Sequence, residues 1–262
     1  MKDWIFFGHS HLAVLQRAWD SLSNKPDFSK HRAHFFIIDH KNIYEFFSIV
    51  DGIAEPSDKL IKQINAIIEG ADDVEMMLSL AGNDHSIIGL AKTEHDYLVM
   101  GAGPDTAKQQ NNQILSHDLL SAVFEERLVG VKQLIPQLMV CFQVKAYMLA
   151  SPPPLIDEQR IKNHPGVFAE ILEQFGVNRS QNRLSLWQIQ NQVMQQYAND
   201  NLIEFISNPQ EIFDDDGFLS ENFSGNDPTH GNDEYGILVL KNLFALQSAQ
   251  TKGMNITEKV ND

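Results

Sequence analysis

The stretch Trp4-Ile5-Phe6-Phe7-Gly8-His9-Ser10-His11-Leu12 decides how the rest of the chain is read. Four consecutive apolar residues closed by a glycine have the pattern of a short strand buried on both faces, as in a parallel sheet. Leu12, Leu15 and Trp19 then recur at helical spacing, so a helix begins almost where the strand ends. A strand running straight into a helix opens a βαβ unit. The residues between the two elements then lie at a carboxyl end of the sheet, where ligands collect in such folds.

The same alternation continues outward from this segment. Phe35 to Ile38, Met76 to Leu80, Ala146 to Ala150 and Leu202 to Ile206 are further short apolar runs bounded by polar or turn residues. Between them, Leu60, Ile61, Ile64, Ile67 and Ile68 form a stripe that starts behind Ser57 and stops at Gly70. Pro165 and Gly176 frame another helix, with Val167, Phe168, Ile171, Leu172 and Phe175 expected inward. Two more helices are read from Leu186 to Tyr197 and from about Glu234 to Leu246, the latter burying Ile237, Leu238, Leu240 and Phe244. Strands alternating with helices imply right-handed crossovers and a three-layer α/β domain with a parallel sheet. One such domain is expected over residues 1–250, with insertions around 88–143 and 151–199 walling the site, and a disordered polar tail over 251–262.

Composition narrows the function classes. The 262 residues carry a formal charge of −15, which repels phosphate backbones and anionic membrane surfaces, so neither nucleic acid nor a membrane is an expected partner. Cys141 is the single cysteine; its apolar setting reads as a buried small hydrophobe, and no disulfide can form within the chain. The first residues lack the apolar run of a secretory signal, and no segment has the length of a membrane span, so a cytoplasmic location is the expectation.

Three segments at strand ends carry reactive side chains: Gly8-His9-Ser10-His11, Gly82-Asn83-Asp84-His85 and Asp227-Pro228-Thr229-His230. A serine hydroxyl attacks a carbonyl only when a base takes its proton, and histidine serves best when a carboxylate fixes its tautomer. Asp227 and His230, three residues apart, can place the carboxylate on one ring nitrogen and leave the other for Ser10. The oxyanion formed needs donors aimed at it beforehand; the Asn83 amide and the Ser10 N–H at a helix start supply them.

In this order, Gly8-His9-Ser10, Gly82-Asn83-Asp84 and Asp227-x-x-His230 resemble blocks I, III and V of the SGNH (GDSL-like) serine hydrolases. The resemblance implies Ser10 as nucleophile, Asp227 and His230 as its partners, and Asn83 in the oxyanion hole. It also implies a flavodoxin-like fold with a five-stranded parallel sheet of order 2-1-3-4-5. Two positions depart from the family pattern. His9 stands where aspartate usually precedes the nucleophile, and Gly52, the sole glycine between the second strand and the next helix, is the candidate block II oxyanion donor, although an ordinary turn glycine is the reading its position favours.

Four histidines, His9, His11, His85 and His230, lie in these segments, and two of the segments faintly resemble the Gly-His-x-His and Gly-Asn-His blocks of metallophosphoesterases, but in the wrong chain order. Neither metal nor cofactor is therefore expected. The substrate implied is a small-molecule or carbohydrate-linked carboxylic ester. The same acyl-enzyme chemistry also serves an O-acyltransferase acting on a glycan, and a silent binding protein could keep the same pocket. Phe46, Phe47, Trp187, Tyr197 and the Pro152-Pro153-Pro154 run are candidates to line the pocket, while Asp214-Asp215-Asp216 reads as a solvated loop. Oligomeric state is left open by the sequence.

Overall fold

The computed structural model describes residues 1–50, 53–99 and 113–258. The chain opens with β1 (Lys2–Gly8), α1 (His11–Leu22), β2 (His31–Ile37), α2 (Ile43–Phe46), the short strands β3 (Phe47–Val50) and β4 (Ile53–Pro56), and α3 (Asp58–Glu69). It continues through β5 (Asp73–Ser79), α4 (Asp84–Gly89), β6 (Tyr97–Val99), β7 (Gln113–Leu115), α5 (His117–Arg127), α6 (Val129–Phe142) and β8 (Lys145–Leu149). The remainder holds α7 (Glu158–Asn163), α8 (Ala169–Phe175), α9 (Ser180–Asp200), β9 (Glu204–Ile206) and α10 (Asp233–Glu258).

Five of these strands form one sheet in the order β2-β1-β5-β8-β9, with every neighbouring pair parallel. Numbered among themselves, they have the order 2-1-3-4-5 that the family resemblance implies. The strand ends are in register, since Gly8 pairs with both Ile37 and Ser79. The loops that leave β1, β2 and β5 therefore emerge at one edge.

The apolar run of β1 shows why the sheet is central. Trp4 and Phe6 face a core shared with α1 and α10, while Ile5 and Phe7 face a second core shared with α3, α6 and α9. Met77 and Tyr147 join the first of these cores; Met76, Leu78 and Met148 join the second. The central strands β1, β5 and β8 are thus apolar on both sides, which removes the usual in–out alternation. The helix caps follow local chemistry. Ser57 accepts a hydrogen bond from the Leu60 N–H at 3.2 Å, and α3 ends against Gly70, as the sequence predicts.

On the outer face of the first core, α1 and α10 cross closely at Gly236. A Cβ there would lie 2.9 Å from both the Ala18 Cβ and the Val14 carbonyl oxygen. Arg17 Nε donates to Asp233 Oδ1 at 2.8 Å across the same contact. Helix α10 continues past Thr251, where the sequence reading begins a polar tail.

Several expectations need correction. The helix between Pro165 and Gly176 is broken, a 3₁₀ turn over Gly166–Phe168 preceding α8, and Val167 is 94% exposed rather than inward. Ile171 is also largely exposed, and only Leu172 is fully buried there. Leu202 lies outside β9, 97% exposed with φ at 58°, because the chain must turn sharply between α9 and the edge strand. Cys141 is exposed. The core face of α6 is set by Leu134, Leu138 and Phe142 at helical spacing, and this turns position 141 outward despite its apolar neighbours. Among the described residues, no helix is long and apolar enough to cross a membrane.

Candidate active site

Strand β1 ends at Gly8 because nothing larger fits: a Cβ would sit 2.1 Å from the Ser79 carbonyl oxygen of β5. The His9 N–H donates to that same carbonyl at 3.0 Å, and the chain turns directly into α1. Ser10 occupies the N-cap position of this helix, yet its side chain makes no capping hydrogen bond. Instead, Ser10 Oγ lies 2.8 Å from His230 Nε2 and donates to it.

The loop that delivers His230 is tied at its base. Gly225 N–H donates to the His230 carbonyl at 2.8 Å, and Ser224 bridges to Gly231. Inside it, Asp227 Oδ1 accepts from the Thr229 N–H at 2.8 Å, the Thr229 hydroxyl at 2.8 Å and the His230 N–H at 3.1 Å. His230 Nδ1–H is shared by the two carboxylate oxygens, 2.8 Å from Oδ2 and 2.9 Å from Oδ1. Burial pushes the Asp227 carboxyl up, but hydrogen bonds from His230 and Thr229 outweigh it and hold the group well below the usual carboxylate range. Asp227 therefore stays ionised, and its charge fixes His230 with a bare Nε2 toward the serine.

Asn83 follows β5 through a strained turn, with Ala81 at φ 55°. Gln190 of α9 pins that turn. Its side-chain nitrogen donates to the Ala81 and Gly82 carbonyls, each at 3.1 Å, while its oxygen accepts from the His85 N–H. Although Asn83 caps α4 by position, its side chain makes no capping bond, and its Oδ1 is 2.8 Å from His11 Nε2. Among the described residues, Asn83 Nδ2 has no hydrogen-bond partner and is available to a ligand. Gly52, the remaining oxyanion candidate, lies outside the described residues.

Ser10 lines one of two clefts in this region, and its neighbours His9 and His11 line the other. One, of about 710 Å³, is polar and lined by Ser10, Arg17, Asn226, His230, Asn232 and Asp233. The other, of about 490 Å³, is largely apolar and lined by His9, His11, Asn83, Ile38, Phe47 and Leu134 among others. Helix α6, from the segment read as an insertion, supplies Leu134 and the adjoining Gly130 and Val131. Arg127 reaches Asp84 across the rim at 2.6 Å.

Of the aromatic candidates, Phe47 lines this apolar cleft; Phe46 and Tyr197 pack on the core, and Trp187 donates to the Ser151 carbonyl. Pro152, Pro153 and Pro154 are buried, and line neither cleft. Asp214 Oδ1 accepts from the Asp216 and Phe218 N–H groups in a loop turn. No group of three or more His, Cys, Asp or Glu side chains among the described residues is arranged to hold a metal ion.

Sequence reasoning missed Gln190, Thr229 and the pairing of His11 with Asn83. The signal for Gln190 was present: a glutamine between Leu186, Ile189, Val193 and Met194 interrupts a buried stripe and needs a polar partner. Thr229 separates Asp227 from His230 by chain position alone, and its bond to the carboxylate follows from turn geometry.

His11 and His85 give the site a pH signature. Burial lowers His11 to about 3, helped by the neighbouring His230, and burial lowers His85 to about 4. Each is neutral when folded but takes up a proton when unfolded below ~6.5, so unfolding binds protons between these values and stability is lost as pH falls. Melting temperature should therefore drop steadily from pH 7 to pH 5. His11→Gln should flatten that slope, and an unchanged slope would mean that His11 is not buried neutral.

No protein-family model matches the chain, and no curated protein matches it. Solved structures similar to it include a putative acylhydrolase from Bacteroides fragilis, at 15% identity over 96% of this chain and 87% of that one, with a TM-score of 0.45. A carbohydrate acetylesterase from Sinorhizobium meliloti is similar at 10% identity over 95% and 100% of the two chains, with a TM-score of 0.47. The periplasmic domain of a lipopolysaccharide acetyltransferase from Salmonella ser. Paratyphi A is similar at 12% identity over 93% and 82%, with a TM-score of 0.45. The chain is a three-layer α/β protein with the parallel sheet order of flavodoxin-like folds, and at one edge of that sheet it carries Ser10 on His230, His230 on Asp227, and Asn83 beside them.

Proposed function

We propose that this chain is an SGNH-type serine hydrolase that cleaves a carboxylic ester through an acyl-enzyme on Ser10. The observation that carries the reading is the Ser10 hydroxyl: at a helix N-cap it forgoes the cap and points 2.8 Å to His230 Nε2. In this reading His230 takes the serine proton as Oγ attacks the carbonyl, then returns it to the leaving alcohol, and Asp227 stabilises the imidazolium between the two steps. The oxyanion is met by Asn83 Nδ2 and the Ser10 N–H at the start of α1. Water then repeats the attack to free the acid.

The two clefts suit the two halves of an ester. The apolar cleft beside Asn83 fits the acyl group, and the polar cleft, with Arg17, Asn226 and Asn232, fits a hydroxyl-rich alcohol such as a sugar. A fluorophosphonate probe and a series of p-nitrophenyl esters test this together. Covalent labelling with turnover, faster for butyrate than for acetate, is expected. Labelling without hydrolysis would point to transfer onto a glycan hydroxyl, and failure to label would leave a binding protein.

Asn83→Ala keeps the nucleophile and removes one donor that acts mainly in the transition state. It should cost ~10²- to 10³-fold in kcat with KM nearly unchanged, and should still label slowly. Normal turnover in this variant would take Asn83 out of the site.

A further inference from the structure

We infer that His11 is a positioning residue that sets which end of the Asn83 amide faces the oxyanion; this rests on the hydrolase reading above. An asparagine amide has a donating and an accepting end of nearly equal size, and only the nitrogen end stabilises a developing negative charge. Turned over, the same side chain would oppose the reaction. Something must therefore choose the orientation.

The choice is made by a ring whose own tautomer is fixed. His11 follows Ser10 in α1, is 7% exposed, and places Nε2 2.8 Å from Asn83 Oδ1. Its other nitrogen, Nδ1, is buried and has no hydrogen-bond partner among the described residues. If the amide turned over, Nδ2–H would face Nε2, and the ring would have to accept there and carry its proton on Nδ1. That would bury an N–H with no acceptor, which is costlier than burying an unused lone pair. The ring therefore keeps its proton on Nε2, donates it to Oδ1, and leaves Asn83 Nδ2 for the substrate oxygen.

Surrounding contacts hold the ring in place. A Cβ on Gly82 would lie 3.2 Å from His11 Cδ2, so the turn before Asn83 packs directly on the imidazole. On its other side the His230 ring is 4.8 Å away, centroid to centroid. Burial and the His230 neighbour keep His11 uncharged, so a second cation does not oppose the imidazolium that forms on His230 during attack.

The test is a double-mutant cycle on p-nitrophenyl butyrate hydrolysis, with melting temperatures alongside. His11→Phe keeps a ring but removes the donor, and should lower kcat by ~10²-fold, approaching the loss in Asn83→Ala, with little change in KM. In the Asn83→Ala background it should have almost no further effect, because His11 acts through that amide. His11→Gln, which retains a donor, should recover kcat to within about tenfold of wild type, and it carries the test if His11→Phe fails to fold. Multiplicative losses in the double mutant, wild-type kcat in His11→Phe, or a His11→Gln as slow as Asn83→Ala would overturn the inference. A wild-type chain that neither labels nor turns over would instead overturn the hydrolase reading itself.

Discussion

Ser10→Ala is expected to reduce ester turnover by about 10⁶-fold and to bring fluorophosphonate labelling to background, with the fold intact. The size follows from the division of labour in the site. In the proposed mechanism His230 and Asp227 activate one oxygen, and with that oxygen gone their contribution goes too, leaving only binding and the oxyanion donors. Stability should stay within about 0.5 kcal/mol, because the hydroxyl is exposed and makes no helix-cap bond that alanine would break. Thermal unfolding and intact-mass measurement of the labelled protein check both halves. Persistent labelling of the alanine variant would show another nucleophile and end the assignment.

Asp227→Asn is the second large effect, expected at ~10⁴-fold in kcat. Asp227 Oδ1 receives Thr229 N–H, the Thr229 hydroxyl and His230 N–H, and His230 Nδ1 lies 2.8 Å from Oδ2 and 2.9 Å from Oδ1. Asparagine can keep its oxygen in the first position and so preserve the loop. Its nitrogen then takes the Oδ2 position, the nearer of the two to Nδ1, and as a donor there it favours the imidazole proton on Nε2, where in the proposed mechanism it blocks proton transfer from Ser10. Steady-state kinetics on a variant with wild-type melting temperature is the check; retention of more than a tenth of wild-type kcat would mean that the carboxylate does not set the tautomer.

How much of this could be read from the sequence depended on the range of the interaction. Strands buried on both faces show as continuous apolar runs, so β1, β5 and β8 were legible, as was α3 between its serine cap and closing glycine. The arrangement of the candidate site was legible where it is local: Ser10 directly after a strand, and Asp227 with His230 in one turn. Legibility failed where a position depends on what packs against it. Val167 and Ile171 look inward by spacing, but the helix that would align them breaks into a 3₁₀ turn. Cys141 lies among apolar neighbours and still faces solvent, because the turn of α6 sets its direction. Gln190 reaches the turn at Ala81 from 109 residues away, and no local pattern contains that distance.

The close crossing of α1 and α10 has a consequence for biosynthesis. Ser10 is translated early, but His230, its base in the proposed mechanism, comes 220 residues later and directly precedes a helix docked on α1. If the proposed mechanism holds, a nascent chain bears an inert alcohol until α10 has cleared the ribosome and seated against Val14 and Ala18. Prematurely terminated chains would be inactive rather than unregulated, and mixing an N-terminal fragment with the missing C-terminal segment should restore activity only as fast as the two helices find each other.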